Sequence, residues 1–484
     1  MKYRLTKRIF VVTLFSLSIL TAINAQPIFT TLYNIGGLAD GDYPQAGLIL
    51  SGNTLYGTAL SAGDFGYGMV FAMNTDGTGF TNLYSFTGLP YWLHGTNTDG
   101  AYPFSDLVLS SNALYGTAWV GGNYDFGTVF RVSTNGTSFT NLYNFSGGSD
   151  GAYPYAGFVL AGNTLYGTTS GGGSSGNGTV FAINTDGTGF TNLYSFTALD
   201  PVTQTNSDGA YPYARLVLAG TTLYGTAING GSSGDGTIFK VNTNGTGFTN
   251  LYSFTALDPV TQTNSDGAYP YAGLILSGNT LYGTAQQGGR SGSGTLFKIN
   301  TDGTGFTNLY SFTALDPTGQ TNTDGEYPYA GLILSNNILY GTAEQGGSSD
   351  FGTVFAITTD GTGFTNLYSF TSAEPGMNSD GGWPTADLVL AGSTLYGTTS
   401  IGGNAFYGTV FALSLVPSLE IVPAGNRVVV SWPTWAPNYG LQVTTNLSSG
   451  MWSNILSATN TVGGNYVSTN IMSGNATFFR LKEQ

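Results

Sequence analysis

SGNTLYGTAQQGGRSGSGTLFKINTDGTGFTNLYSF, residues 277–312, is the stretch whose reading decides the fold. Its tetrapeptide Leu-Tyr-Gly-Thr occurs seven times in the 484-residue chain, beginning at Leu55, Leu114, Leu165, Leu223, Leu281, Leu339 and Leu395. The starts are almost evenly spaced, the regularity that marks a repeat architecture. An Asp-Gly pair precedes each at a fixed distance, at Asp40, Asp99, Asp150, Asp208, Asp266, Asp324 and Asp380. A Gly-x-[Val/Ile/Leu]-Phe segment follows each just as regularly, as from Gly68 to Phe71 and from Gly127 to Phe130. In the fifth module, β-branched and aromatic runs at 272–276, 280–285, 294–299 and 306–312 read as four strands. Between them, Ser277-Gly278-Asn279 and Asn300-Thr301-Asp302-Gly303 supply tight-turn chemistry. Four antiparallel strands per repeat make one propeller blade, and the period lies near the kelch value of about 50.

Phe-Thr-x-Leu-Tyr, the fourth strand of each module, also occurs seven times, first at Phe29, ahead of the first complete module. The last module ends without it. The residues from Phe29 to Ile35 therefore complete the last blade, which removes two exposed edges. The expected fold is all-β: a seven-bladed β-propeller closed by an N-terminal strand, followed by a small β-sandwich. The repeat stops near Pro417. Residues 26–415 carry 24 acids and 5 bases, whereas 416–484 carry 2 acids and 3 bases. Runs at 427–432, 439–444, 452–456, 466–470 and 477–481 alternate as strands of that second domain.

Residues 1–25 read as an export signal: Lys2, Arg4, Lys7 and Arg8 precede an apolar run from Ile9 to Leu20, with Ala25 at the cleavage point. That run is too short to span a bilayer, and no Cys follows to carry a lipid. The expected location is secreted, extracellular or periplasmic, with no membrane insertion after cleavage. Cleavage leaves 12 − 4 = 8 bases against 26 acids, a net charge of −18. That charge repels nucleic acid and anionic membrane surfaces. No Cys and a single His exclude disulfides, thiolate chemistry and multi-histidine metal centres.

The unit Leu-Tyr-Gly-Thr-x-x-x-Gly-Gly-x-x-x-x-Gly-Thr-Val-Phe, followed by Asn-Thr-Asp-Gly-Thr-Gly-Phe-Thr-Asn-Leu-Tyr-Ser-Phe, resembles the GloVer repeat of secreted bacterial "choice-of-anchor tandem repeat" proteins. The likeness spans roughly residues 29–413, and the C-terminal part is similar to fibronectin-III or immunoglobulin-like modules. It implies an extracytoplasmic repeat protein and brings no catalytic residues. The chain departs from the anchored members in showing no sorting helix.

Strand parity puts the second-to-third and the fourth-to-next-first connections at one end of a ring. The latter vary in length. Ile35 to Asp40 and Phe145 to Asp150 are short, while Phe86 to Asp99, Phe196 to Asp208 and the three that follow are at least twice as long. An adaptable surface on a rigid scaffold would vary in this way; tolerated insertions would look the same. Three features at that end are candidates. Asp-Gly-x-[Tyr/Trp]-Pro recurs in every module; its seven carboxylates could approach Ca2+, or cap loop N–H groups. After the Pro stand Phe104, Tyr155, Tyr213, Tyr271 and Tyr329, which offer sugar-stacking faces or pack between blades. On the innermost strand, Gly47, Gly157, Gly273 and Gly331 give way to Asp106, Arg215 and Asp387, placing opposed charges on the ring axis for a ligand or for structure. The Gly-Gly pairs lack the helix N-terminus of a phosphate loop, and His94, unrepeated, reads as incidental.

The expected function is a non-enzymatic scaffold that binds a polysaccharide or a cell-surface protein on the variable-loop face, with no cofactor. A carbohydrate-active hydrolase or lyase, with Asp106 and Asp387 as paired acids, is the alternative.

Overall fold

The computed structural model describes residues 27–37, 40–91, 94–371, 378–417, 419–424, 427–433, 436, 439–447, 451–455, 460–462, 465–471 and 477–483. The expected export signal, residues 1–25, lies outside them. The chain divides into a unit spanning Phe29–Ala412 and a second that contains Leu413–Gln484. Among the described residues there is no α-helix, and no helix long and apolar enough to cross a membrane.

The larger unit is a series of four-stranded antiparallel sheets, one per repeat. In module 5 the strands are Ile275–Ser277, Thr280–Ala285, Thr295–Asn300 and Thr307–Ser311, in sequential order. The first is shorter than the sequence suggests, because only 275–277 pair with the second strand. The first turn is a two-residue loop with Gly278 at φ 57°, as a II′ turn requires; module 6 uses Asn336 and Asn337, both at positive φ, in the I′ manner.

Each motif residue has a packing reason. The Leu281 and Tyr282 side chains point to opposite faces and are both buried. A Cβ on Gly283 would meet Phe297 Cζ at 2.6 Å and Leu274 Cδ2 at 2.8 Å, so the third-strand ring lies directly over the backbone there. In modules other than the sixth the Thr hydroxyl reaches the next module: Thr226 Oγ1 donates to the Ala272 carbonyl at 3.0 Å and Thr284 Oγ1 to Ala330 at 3.2 Å. From module 7, Thr398 Oγ1 donates to Ala46 of module 1 at 3.4 Å. Aromatic rings tie the outer strands together. Tyr252 stacks on Phe306 of the following module at 3.9 Å.

The strand Ile28–Asn34 pairs with Thr409–Ser414, outside Thr394–Thr399 and Val389–Ala391, and so supplies the fourth strand of that sheet. Phe29 stacks on Tyr368 of module 6 at 4.1 Å, and Tyr33 stacks on Phe80 of module 1 at 4.3 Å. Thr31 Oγ1 donates to the Ser379 carbonyl at 2.7 Å, where Asn250 Nδ2 donates to the Ser207 carbonyl in module 4.

The second unit contains a four-stranded sheet (Glu420–Ala424, Arg427–Pro433, Asn465–Ile471, Asn460–Val462) and a three-stranded one (Ser453–Asn454, Tyr439–Thr444, Phe478–Glu483). Val428, Val430 and Trp432 of the first share a core with Leu441 and Phe479 of the second. The strand at 420–424 was not anticipated; Pro423 disguises it and is tolerated because the strand is at a sheet edge.

Candidate functional site

The loop-bearing end is built from one hydrogen-bonding scheme repeated around the modules. In module 5, Asp266 Oδ2 accepts from the Tyr252 hydroxyl at 2.7 Å and from Thr255 N–H at 2.9 Å, while its Oδ1 accepts from the Thr255 hydroxyl. Asn264 clamps the same loop, its Oδ1 accepting from Gly267 and Gly289 N–H at 2.9 Å each. The Asp-Gly carboxylates thus face back onto the fourth strand and exit loop of the preceding module rather than converging at a channel mouth. The motif caps loop N–H groups, the plainer of the two expectations for it. Among the described residues no group of three or more His, Asp or Glu is placed to hold a metal ion. Burial and the adjoining carboxylate push the paired phenols up, Tyr33 beside Asp40 to about 12.

The aromatic residue of Asp-Gly-x-[Tyr/Trp]-Pro sits in the left-handed region in every module, from Tyr43 (φ 51°) to Trp383 (φ 53°). The reason is a double backbone staple. Tyr269 N–H donates to the Asp235 carbonyl of the preceding module at 3.0 Å, and its carbonyl accepts from Gln286 N–H at 3.1 Å. The same staple joins module 7 to module 1, through Tyr43 N–H to the Tyr407 carbonyl at 3.1 Å.

The five aromatics after the Pro come together. Phe104 stacks on Tyr155 at 4.4 Å, Tyr155 meets Tyr213 edge-on at 5.1 Å, and Tyr271 stacks on Tyr329 at 4.8 Å. The phenols of Tyr155 and Tyr329, three modules apart, also adjoin one another. Burial pushes both phenols up. The stacked pairs therefore cover one face each of Phe104, Tyr155, Tyr271 and Tyr329. Glu344 stands beside this cluster at the position filled by Gln286 in module 5, and burial alone pushes its carboxyl up. Sequence reasoning missed it, although an acid at a site that is Leu60, Trp119, Ser170, Ile228 or Ser400 elsewhere is a visible break in the repeat.

Two residues further along the chain, still ahead of the innermost strand, lies a second set of positions. There Arg215 approaches Asp387, and Asp106 lies close enough for its charge to act on Asp387. Arg215 Nη2 is 4.0 Å from Asp387 Oδ2, with the side chains 43% and 27% exposed. Asp106 Oδ1 accepts from Gly47 N–H at 2.5 Å, and Asp387 Oδ1 from Gly331 N–H at 2.6 Å. A Cβ on Gly47 would touch both Asp106 and Asp387, its counterparts in modules 2 and 7. Burial, then the Asp106 charge, raise the Asp387 carboxyl above the usual range; Arg215 and the Gly331 N–H oppose them. The charges hold one another and neighbouring backbone, and one carboxyl is poised to carry a proton. His94 lies at the periphery, exposed, with Nδ1 3.3 Å from Asp125 Oδ2.

Solved structures that resemble this chain include an oligogalacturonate lyase in complex with manganese (TM-score 0.46, 11% identity, 81% of this chain and 98% of that one). Others are the oligogalacturonate lyase of Vibrio parahaemolyticus (0.45, 9%, 81% and 98%) and a puromycin-hydrolyzing peptidase of Mycobacterium tuberculosis (0.46, 11%, 83% and 62%). No curated protein matches the sequence. A family model described as the Gloeobacter/Verrucomicrobia repeat matches residues 91–263, 149–322 and 318–424.

Proposed function

Since the chain belongs to the Gloeobacter/Verrucomicrobia repeat family, we propose that it is an exported, non-enzymatic scaffold whose seven modules close into a propeller and whose loop-bearing end binds a carbohydrate or protein partner. The pairing of the amino-terminal strand with the last sheet supports closure, as do the contacts of Gly47 with modules 2 and 7. The C-terminal unit, read as an immunoglobulin-like or fibronectin-III-like sandwich, serves as a spacer or tether.

One observation carries the binding reading. The long connections share a fixed base under unlike tips: Asn97 N–H donates to the Gly122 carbonyl at 3.2 Å beneath the connection that carries Tyr91, and Asn206 to Gly231, Asn264 to Gly289 and Asn322 to Gly347 at 3.1 Å each beneath the near-identical connections into modules 4 to 6. Constant roots under variable tips suit a recognition surface on a rigid frame. Glycan-array and pull-down assays on residues 26–484 test it. The expected result is a saturable partner whose retention falls when the 197–207 loop is replaced by the short connection of module 3. No saturable partner, or retention indifferent to the loops, refutes it.

A hydrolase or lyase reading draws on the raised Asp387 carboxyl beside Asp106. It predicts product release from a polysaccharide panel that Asp106→Asn abolishes.

A further inference from the structure

We infer that the loop-bearing end of modules 7, 1 and 2 is a docking surface for a neutral polysaccharide, gripped by an arc of exposed aromatic rings. The inference rests on the loop-bearing end being the binding face, and adds the residues and the partner's chemistry.

Among the described residues of the repeat unit, the exposed aromatics are not scattered. Module 7 contributes Trp383 and Phe406, with Tyr407 next to it; module 1 contributes Tyr43 and Phe65; Tyr91 and Tyr124 lie on the connection into module 2 and within it. Modules 3 to 6 contribute none. The position of Phe65 and Tyr124 is Ser175, Ser233, Ser291 and Ser349 in those four, so the frame does not need a ring there.

The three modules are contiguous. The Tyr43 N–H to Tyr407 carbonyl bond joins 7 to 1, and Tyr102 N–H to the Tyr67 carbonyl, at 2.9 Å, joins 1 to 2. Tyr91 and His94 exchange backbone hydrogen bonds at 3.2 Å, and the His94–Asp125 contact brings their loop onto the one that carries Tyr124.

Phe406 adds an independent sign. Its φ is 67° and its ring is 46% exposed. The same position is Gly66, Gly176, Gly234 and Gly292 in four modules and Asp125 or Asp350 in two. Left-handed backbone is costly for a bulky L-residue, and an exposed ring recovers little of that cost by burial. Strain kept at a surface residue, where sister modules avoid it, points to use.

Charge and spacing select the partner. With 24 acids against 5 bases in residues 26–415, a polyanion is repelled. Apart from the adjacent Phe406 and Tyr407, the rings are spread over separate stretches of chain, beside hydrogen-bonding residues such as Asn123 and Asn404 and the acids Asp42, Asp64 and Asp125, rather than forming the continuous apolar centre of a protein interface. Separate flat rings with polar edges match successive pyranose faces of an uncharged chain.

Affinity electrophoresis in gels containing β-1,3-glucan, xyloglucan or galactomannan, with polygalacturonate as the charged control, tests the inference. At least one neutral polymer should retard the protein, and polygalacturonate should not. Phe406→Gly, Phe65→Ser and Tyr124→Ser install residues that sister modules already carry, so the variants keep the fold. Each should weaken retention by about tenfold, the scale of one lost aromatic anchor. Phe406→Gly should also melt about 1–2 °C higher through relief of its backbone. No retardation by any neutral polymer, or wild-type retention of Phe406→Gly, overturns the inference. If a partner is instead lost on Val202→Ser and Val260→Ser exchange in modules 4 and 5 but not on the aromatic changes, the binding face stands and the arc fails. If neither set alters any retention, both fail.

Discussion

At the residue scale, side-chain identity in this repeat follows from distance to a neighbouring strand. Gly283 sits beneath Phe297 and Leu274, so Gly283→Ala must displace a buried ring. Overpacking of this kind costs about 1–3 kcal/mol. Gly278, at a turn tip, has nothing within 4 Å of its Cβ direction, and Gly278→Ala carries only the strain of φ 57°. Chemical denaturation of the two variants should rank Gly283→Ala below Gly278→Ala; the reverse order would show that the ring does not lie over the glycine. The position was legible in sequence as an invariant Gly within seven tetrapeptides. Its cause was not, because the covering Phe297 belongs to the following strand and reaches the glycine only when the two strands pair.

At the element scale, the amino-terminal strand matters most. The gap in module 7 and the spare Phe29 motif were both visible as text, and the structure pairs them. Phe29 stacks on Tyr368 and Phe411, at 4.1 and 5.3 Å, and Thr31 reproduces the Asn-to-carbonyl bond of other modules. Deleting the strand exposes the edge of Thr409–Ser414, an invitation to aggregation. A chain starting at residue 36 should therefore melt lower and associate with itself. A synthetic peptide of residues 27–36 should restore the wild-type melting temperature. An unchanged melting curve for the truncated chain would refute the role of this strand.

At the scale of the whole molecule, acid density and two partly buried carboxyls shape stability. Asp387 and Asp42 both have carboxyls raised from 3.8 to about 6, chiefly by burial. An acid held above its unfolded value binds its proton more tightly when folded. Its contribution is complete below about pH 4 and is lost as pH climbs through 6. Mutual repulsion in a chain of net charge −14 acts in the same direction. Urea midpoints should therefore fall between pH 4.5 and 7, and Asp387→Asn should recover roughly 1–2 kcal/mol at pH 7.5 and little at pH 4. A midpoint that rises over that interval, or Asp387→Asn as sensitive to pH as the parent, would contradict this account.

Repetition made the class of fold, the module boundaries and the loop-bearing end readable from the chain alone, because each module solves the same local problem with the same turn and strand residues. The break at Asp106, Arg215 and Asp387 was likewise readable, since one register position changed character. What the chain alone could not tell is where rings and charges from distant modules meet. Tyr155 and Tyr329 adjoin although three modules separate them in sequence, Arg215 faces Asp387, and Phe406 is held in a strained backbone on an aromatic-rich sector. Those encounters depend on the relative placement of modules. Periodicity in one dimension carries no record of that placement, and only packing in three supplies it.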